Sequence, residues 1–411
     1  MTATPSALLS TDSAPSMPVV TSQRIASIDV FRGWVMFLML FQMVKLPVVA
    51  KAFEQGRWSK FWGTIGFHTT HVEWEGGSLH DMIQPGFSFL VGAAMAFSLA
   101  NRRSRGQAWG WMLFHAILRA LALIALGVLL RNLKTDQINF RFEDTLCQIG
   151  LGYVFLFLIA SLRPVWHWVA FSAILLGVWL AFVSYPVAAK DFDYASVGVP
   201  ADWPYHQPGI AAHWNKNANI AAAFDRWFLN LFPRAEAFTA NEGGYTTLNF
   251  IPTLATMILG LIAGRWLRDG YSLGERSWRF LAAILLGWGT AWLISYLGLC
   301  PIVKRLWTPT WVLWSGGWCL LFLYCFHLIC DVAGWKAWAF PWTVIGANSI
   351  AAYVMSYATV PFFVDRLRHW FGFVWAPLDK NQANFLIGLT AFALVWLILF
   401  WMYRRRLYIR L

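Results

Sequence analysis

The stretch HVEWEGGSLHDMIQPGFSFLVG, residues 71–92, sets two kinds of sequence end to end. Its first half holds His71 and His80, the carboxylates of Glu73, Glu75 and Asp81, and Trp74. Its second half is apolar and opens a helix. Titratable side chains that run straight into a bilayer-compatible segment place chemistry at a membrane surface. The stretch therefore predicts an all-α polytopic membrane protein with a reactive loop at one helix mouth.

Composition agrees. Of 411 residues 58% are apolar, 18% aromatic and only 13% charged, where soluble proteins carry about a quarter charged residues. A net charge of +12 in a soluble chain would point to nucleic acid, but here the basic residues sit mostly between apolar spans. Topology explains them, and no nucleic-acid partner is expected. The five cysteines at 147, 300, 319, 325 and 330 form no C-x-x-C pair, and read as small buried hydrophobes rather than disulfides or metal ligands.

Residues 1–26 are rich in Ser, Thr, Pro and Ala without the basic and apolar regions of a signal peptide, which predicts a disordered cytoplasmic tail. Residues 27–411 form one membrane unit. Apolar segments fall at about 31–48, 83–100, 108–130, 145–161, 165–185, 248–264, 279–299, 310–330, 342–360 and 383–403, most of them near the ~20 residues a bilayer requires. Ten spans put both termini on one side, and the density of Lys and Arg in the short loops makes that side the cytoplasm. His71 then lies in the first external loop, and 186–247 becomes a long extracytoplasmic segment rich in Trp, Pro, Asn and Gly. Its aromatic, Asn and acidic residues, Glu242 among them, suit either a lid that holds a sugar or an interfacial aromatic belt.

Several residues are candidates for chemistry. His71 has the pKa range of a general base, and Glu73, Glu75 and Asp81 can orient it or hold a cationic amine. Asp81 can equally cap the helix that follows. His68, His71, His80 and Asp81 lack the spacing of a metal motif, and no metal is expected. Arg119, one turn after His115, is expensive in lipid, and needs either an acidic partner or an anionic ligand. Asn249 and Asn348 are polar groups within spans that call for bundle partners. Lys304 and Arg305 beside Trp307 suit an anion clamp or an interface.

Taken together, these motifs resemble the membrane-bound heparan-α-glucosaminide N-acetyltransferases and their bacterial relatives, within the transmembrane acyltransferase group. The resemblance is carried by SIDVFRG at 27–33, the 71–92 stretch, LCQIGLGYVF at 146–155, TLNFIPTLATMILGLIAG at 247–264, KRLWTPTWVL at 304–313 and GANSIAAYV at 346–354. It implies that 27–411 is a transmembrane acyltransferase domain and that His71 is the catalytic residue. Acetyl-CoA would be the co-substrate from the cytoplasm, and a glucosamine-like amine the acceptor on the other side. On this basis His71 and Asp81 are expected to be catalytic, and Glu73, Trp74, Glu242, Asn249 and Trp307 to contact the sugar. Arg32, Gln42, Arg119 and Asn348 are expected to contact the coenzyme. The lysosomal members carry a further luminal domain and one more helix before this core. They also place Asn where this chain has Gln42 and Met43, and commonly aromatics where Gln84 and Gly86 flank Pro85.

The expected protein is thus an N-acetyltransferase of a bacterial inner membrane, with room for a homo-oligomer. Transfer runs either directly, with His71 as base, or through an acetyl-His intermediate. Two other functions fit the same sequence. One is a transporter of N-acetylglucosamine or a related sugar, and the other an O-acyltransferase of a surface polysaccharide.

Overall fold

The computed structural model describes residues 25–53 and 55–409. The tail expected over 1–26 lies outside them except for its last two residues, and Ala26 already begins the first helix. Fifteen α-helices follow in order: α1 Ala26–Phe41, α2 Leu46–Ala52, α3 Ser59–His68, α4 Ile83–Ser104, α5 Trp109–Arg131, α6 Thr145–Ala160, α7 Pro164–Ser184, α8 Ile220–Phe228, α9 Phe250–Arg268, α10 Leu273–Tyr296, α11 Pro309–Phe326, α12 Phe340–Ala347, α13 Ser349–Trp370, α14 Gly372–Trp375 and α15 Lys380–Arg404. Among the described residues the extended pairing is a single antiparallel bridge, Glu75 to Val303. The protein is all-α.

Among the described residues eight spans are long and apolar enough to cross a bilayer, and α12 with α13 would make a ninth, bent by 68° at their junction. The tenth expected span, α6, has 16 residues, about 24 Å of helix. It is short because Asp144 caps it below the loop surface, its Oδ1 accepting from Leu146 N at 2.8 Å. With both included, the helices alternate between two faces. The loop face carries 42–79, 132–144, 185–246, 297–308 and 371–379, and the terminal face carries the first and last of the described residues.

The bundle is built around α9, whose apolar window is 83% buried, with α4 against it. Glycine makes that packing close. A Cβ on Gly92 would overlap the carbonyl of Met257, and one on Gly260 would overlap the carbonyl of Phe89. Small residues let helix backbones approach, which is how spans associate where burial from water supplies no driving force. By contrast α5, α7 and α10 have apolar windows only 28%, 17% and 17% buried, and turn most of their surface outward.

The long segment 185–246 at the loop face has its own core. Trp203 and Trp214 pack with Trp74, Val199 and Phe182 of α7 in a cluster distinct from the main core, and Phe182 stacks on Trp214 at 5.6 Å. The five cysteines are free, four of them buried and Cys325 exposed.

Candidate active site

The loop after α3 and the loop before α11 are stitched together at the loop face. The Glu75–Val303 bridge joins them, and Gly76 N donates to Ile302 O at 2.9 Å. Arg305 adds a third strand of chain by donating to Gly243 O at 2.9 Å and to Val72 O at 3.5 Å. These contacts carry Lys304 onto the loop that holds His71.

Asp81 is the centre of the cluster these contacts form. Its side chain is 1% exposed. Oδ2 accepts from Val72 N at 3.1 Å, Ser78 N at 3.0 Å and Ser78 Oγ at 3.0 Å. Oδ1 lies 2.8 Å from His71 Nδ1 and accepts from Lys304 Nζ at 3.0 Å. Two acceptors at 2.8 Å would repel each other, so Nδ1 carries the proton. Lys304 Nζ is 3.1 Å from Nδ1, and its three hydrogens let it turn one toward Asp81 instead. Nε2 then holds the lone pair that a base needs. Burial lowers the His71 pKa below its usual value, Lys304 and Arg305 push the same way, and Asp81 opposes them. The imidazole is therefore neutral at neutral pH. The ring of His80 stands 4.4 Å away.

His71, whose side chain is 43% exposed, and Lys304 both line a cavity of about 850 Å³ that also takes in Gln42, Glu242, Asn241 and Tyr245. No local sequence pattern marks another part of its wall. Arg131, Tyr353 and Tyr357 line it, and buried Asp144 fixes them, accepting from Tyr353 Oη at 2.8 Å, Tyr357 Oη at 3.4 Å and Arg131 Nε at 3.4 Å. The sequence did carry one sign of Asp144, an acid at the start of an apolar run.

The remaining expected residues lie elsewhere. Trp74 and Trp307, expected against the sugar, are each 1% exposed. Trp74 belongs to the core of the 185–246 segment, 6.0 Å from Trp203, and Trp307 donates to Thr256 Oγ1 at 3.1 Å. Neither ring has a face free for a sugar, because both fill space behind the loops they brace. Asn249 is 4% exposed, accepts from Thr246 Oγ1 at 2.8 Å and donates to Arg305 O at 2.8 Å. It positions the Arg305 strand rather than facing the cavity. Glu73 is exposed on the loop beside His71. Arg32 pairs with Asp29 at 3.2 Å near the terminal face. Asn348, buried at the α12–α13 break, accepts from Ile409 N at 3.1 Å, and Arg119 lines a second cavity. Among the described residues no group of three or more His, Cys, Asp or Glu is arranged to hold a metal ion.

No family model matches the sequence. Two curated proteins do align with it over nearly its whole length. Heparan-alpha-glucosaminide N-acetyltransferase of Mus musculus is 24% identical over 97% of this chain, and the Homo sapiens protein of the same name is 23% identical over 94%. The chain is a distant relative of these acetyltransferases. It spans 62% and 59% of their lengths. Gln42 and Gln84 both line the cavity with His71.

Proposed function

We propose that the protein is a membrane-bound acetyltransferase that moves the acetyl group of acetyl-CoA to the amine of a glucosamine-like sugar at the loop face. The observation that carries this reading is the His71–Asp81–Lys304 cluster on the wall of a cavity of about 850 Å³. Kinship to two N-acetyltransferases supports it. The cavity falls within the ~300–1,000 Å³ of small-molecule sites. Its apolar lining from Met39, Leu40, Met43 and Ile83, with amides from Gln42 and Gln84, suits a thioester arm beside a polar sugar.

His71 Nε2 takes the proton of the amine as its nitrogen attacks the thioester carbonyl. As the carbon–sulfur bond breaks, the imidazolium returns that proton to the leaving thiolate, so the products are an amide and a free thiol. Asp81 holds the ring in the required tautomer. Lys304 places a positive charge at the cavity wall, where negative charge develops on the carbonyl oxygen. Glu242 offers a carboxylate to the sugar hydroxyls or ammonium. Direct transfer needs one neutral imidazole and no second nucleophile.

The loop face is external in this reading, with both termini in the cytoplasm of a bacterial cell. Arg265, Arg268 and Arg279, with Arg32, gather at the terminal face and suit the coenzyme phosphates. The test offers purified protein acetyl-CoA with glucosamine or with glucose and identifies the product by mass. N-acetylated product from glucosamine alone supports the proposal. Acetylated glucose as the main product would replace it with an O-acyltransferase.

A further inference from the structure

Arg119 sits near the middle of the 23-residue α5, far from the cavity that holds His71. Its Nη1 donates to Tyr153 Oη at 3.2 Å, and its guanidinium lies 5.0 Å from the centre of that ring. Its Nε is buried with no hydrogen-bond partner. Among the described residues no carboxylate pairs with it. A cation held at this depth without a counter-ion calls for an anion from outside the chain.

The surroundings say which kind. Arg119, Arg102, His115, Ser98 and Tyr153 line one cavity of about 110 Å³. That is room for only about three to four waters at ~30 Å³ each, enough for a phosphoryl group and too little for a nucleotide. Side chains on a helix lean toward its N-terminus, and α5 begins at the terminal face. The guanidinium of Arg119 therefore reaches toward that face, where Arg102 ends α4. The rest of the lining includes Met95, Leu99 and Phe157. Neighbouring α5 side chains Phe114, Leu118 and Leu121 are 48%, 48% and 59% exposed on the outside of the bundle, so the cavity lies at its lipid-facing surface. Arginine is the side chain best matched to phosphoryl oxygens.

We propose that this cavity binds the headgroup phosphate of an anionic phospholipid from the leaflet at the terminal face. Arg119 and Arg102 grip the phosphoryl oxygens, the Tyr153 hydroxyl donates to a third, and an acyl chain runs down the apolar wall. The site is independent of the His71 cavity and of the reaction proposed there.

The test measures thermal stability of the full chain in detergent with added phosphatidylglycerol, phosphatidylcholine, inorganic phosphate or coenzyme A. Phosphatidylglycerol should raise the melting temperature by a few degrees and phosphatidylcholine should not. In Arg119→Gln and Arg102→Gln the phosphatidylglycerol concentration needed should rise roughly tenfold or more. Arg102→Gln alters only the last turn of α4, so it remains informative if Arg119→Gln misfolds. Equal shifts from both lipids, or a phosphatidylglycerol shift unchanged in the folded variants, would overturn the proposal. So would a shift from phosphate or coenzyme A that these variants abolish, since the phosphoryl group would then come from a soluble molecule.

Discussion

Lys304 and His71 stand 233 positions apart in the chain, yet Lys304 Nζ lies 3.1 Å from His71 Nδ1, and both atoms contact the same oxygen of Asp81. The ammonium works against the carboxylate. Asp81 favours the imidazolium and Lys304 disfavours it, and with burial the balance lowers the His71 pKa. Replacing Lys304 by Met should let that pKa rise. A rising pKa leaves the base protonated at pH values where wild type works, so the acidic limb of kcat/KM against pH should move upward. Lys304→Arg should keep the limb close to its wild-type position. A limb that stays put in Lys304→Met would remove this role.

Asp81→Asn would leave Lys304, 6% exposed, without its carboxylate and offer Nδ1 an amide. Breaking a buried pair costs about 3–5 kcal/mol, so the melting temperature should fall. Turnover should fall by about 10²–10⁴-fold, the range of general-base effects. Comparing Asp81→Asn with Asp81→Glu by thermal unfolding and by turnover separates the two losses, since Glu restores charge but not placement.

Asp225 in α8 makes a different prediction. Its Oδ2 accepts from Thr247 N at 2.9 Å, while Oδ1 is buried without a partner. Burial raises its pKa to about 7, Glu143 adding to the rise while Arg234 and the Thr247 bonds oppose it. Between about pH 4 and pH 7 the folded chain thus keeps a proton that the unfolded chain has lost. Stability from this group is fully present below pH 4 and is lost as pH rises toward 7. Asp225→Asn keeps the acceptor for Thr247 and removes the charge. The variant should melt higher than wild type at pH 8, and the difference should vanish near pH 4 when melting is followed across that range.

The contact between α4 and α9 can be tested by volume alone. Gly260→Leu would drive a side chain into the Phe89 carbonyl, and should cost at least the ~1–3 kcal/mol of an overpacked core. Gly289→Ala on α10, where nothing lies within 4 Å of the new Cβ, should leave the melting temperature unchanged or slightly raised.

These relationships also show what the sequence could reveal. The spans were legible because apolar length is a local property, and α6 departs only in being shortened by its Asp144 cap. His71 and Asp81 were legible because eleven consecutive residues hold both. Lys304 was noted only as a base beside Trp307, since the pairing that brings it to His71 joins distant loops. The wall of Arg131, Tyr353 and Tyr357 is assembled from two helices around Asp144, and no local pattern marks it. Trp74 and Trp307, expected at the sugar, are buried, and a Trp that fills a core and a Trp that stacks on a sugar look alike until their neighbours are known.

The most direct measurement of the central claim is release of free thiol from acetyl-CoA by purified protein, with and without glucosamine, in wild type and His71→Ala. The account predicts release by wild type that depends on the amine and falls about 10²–10⁴-fold in the variant. Amine-dependent release that survives unchanged in a folded His71→Ala protein would contradict it.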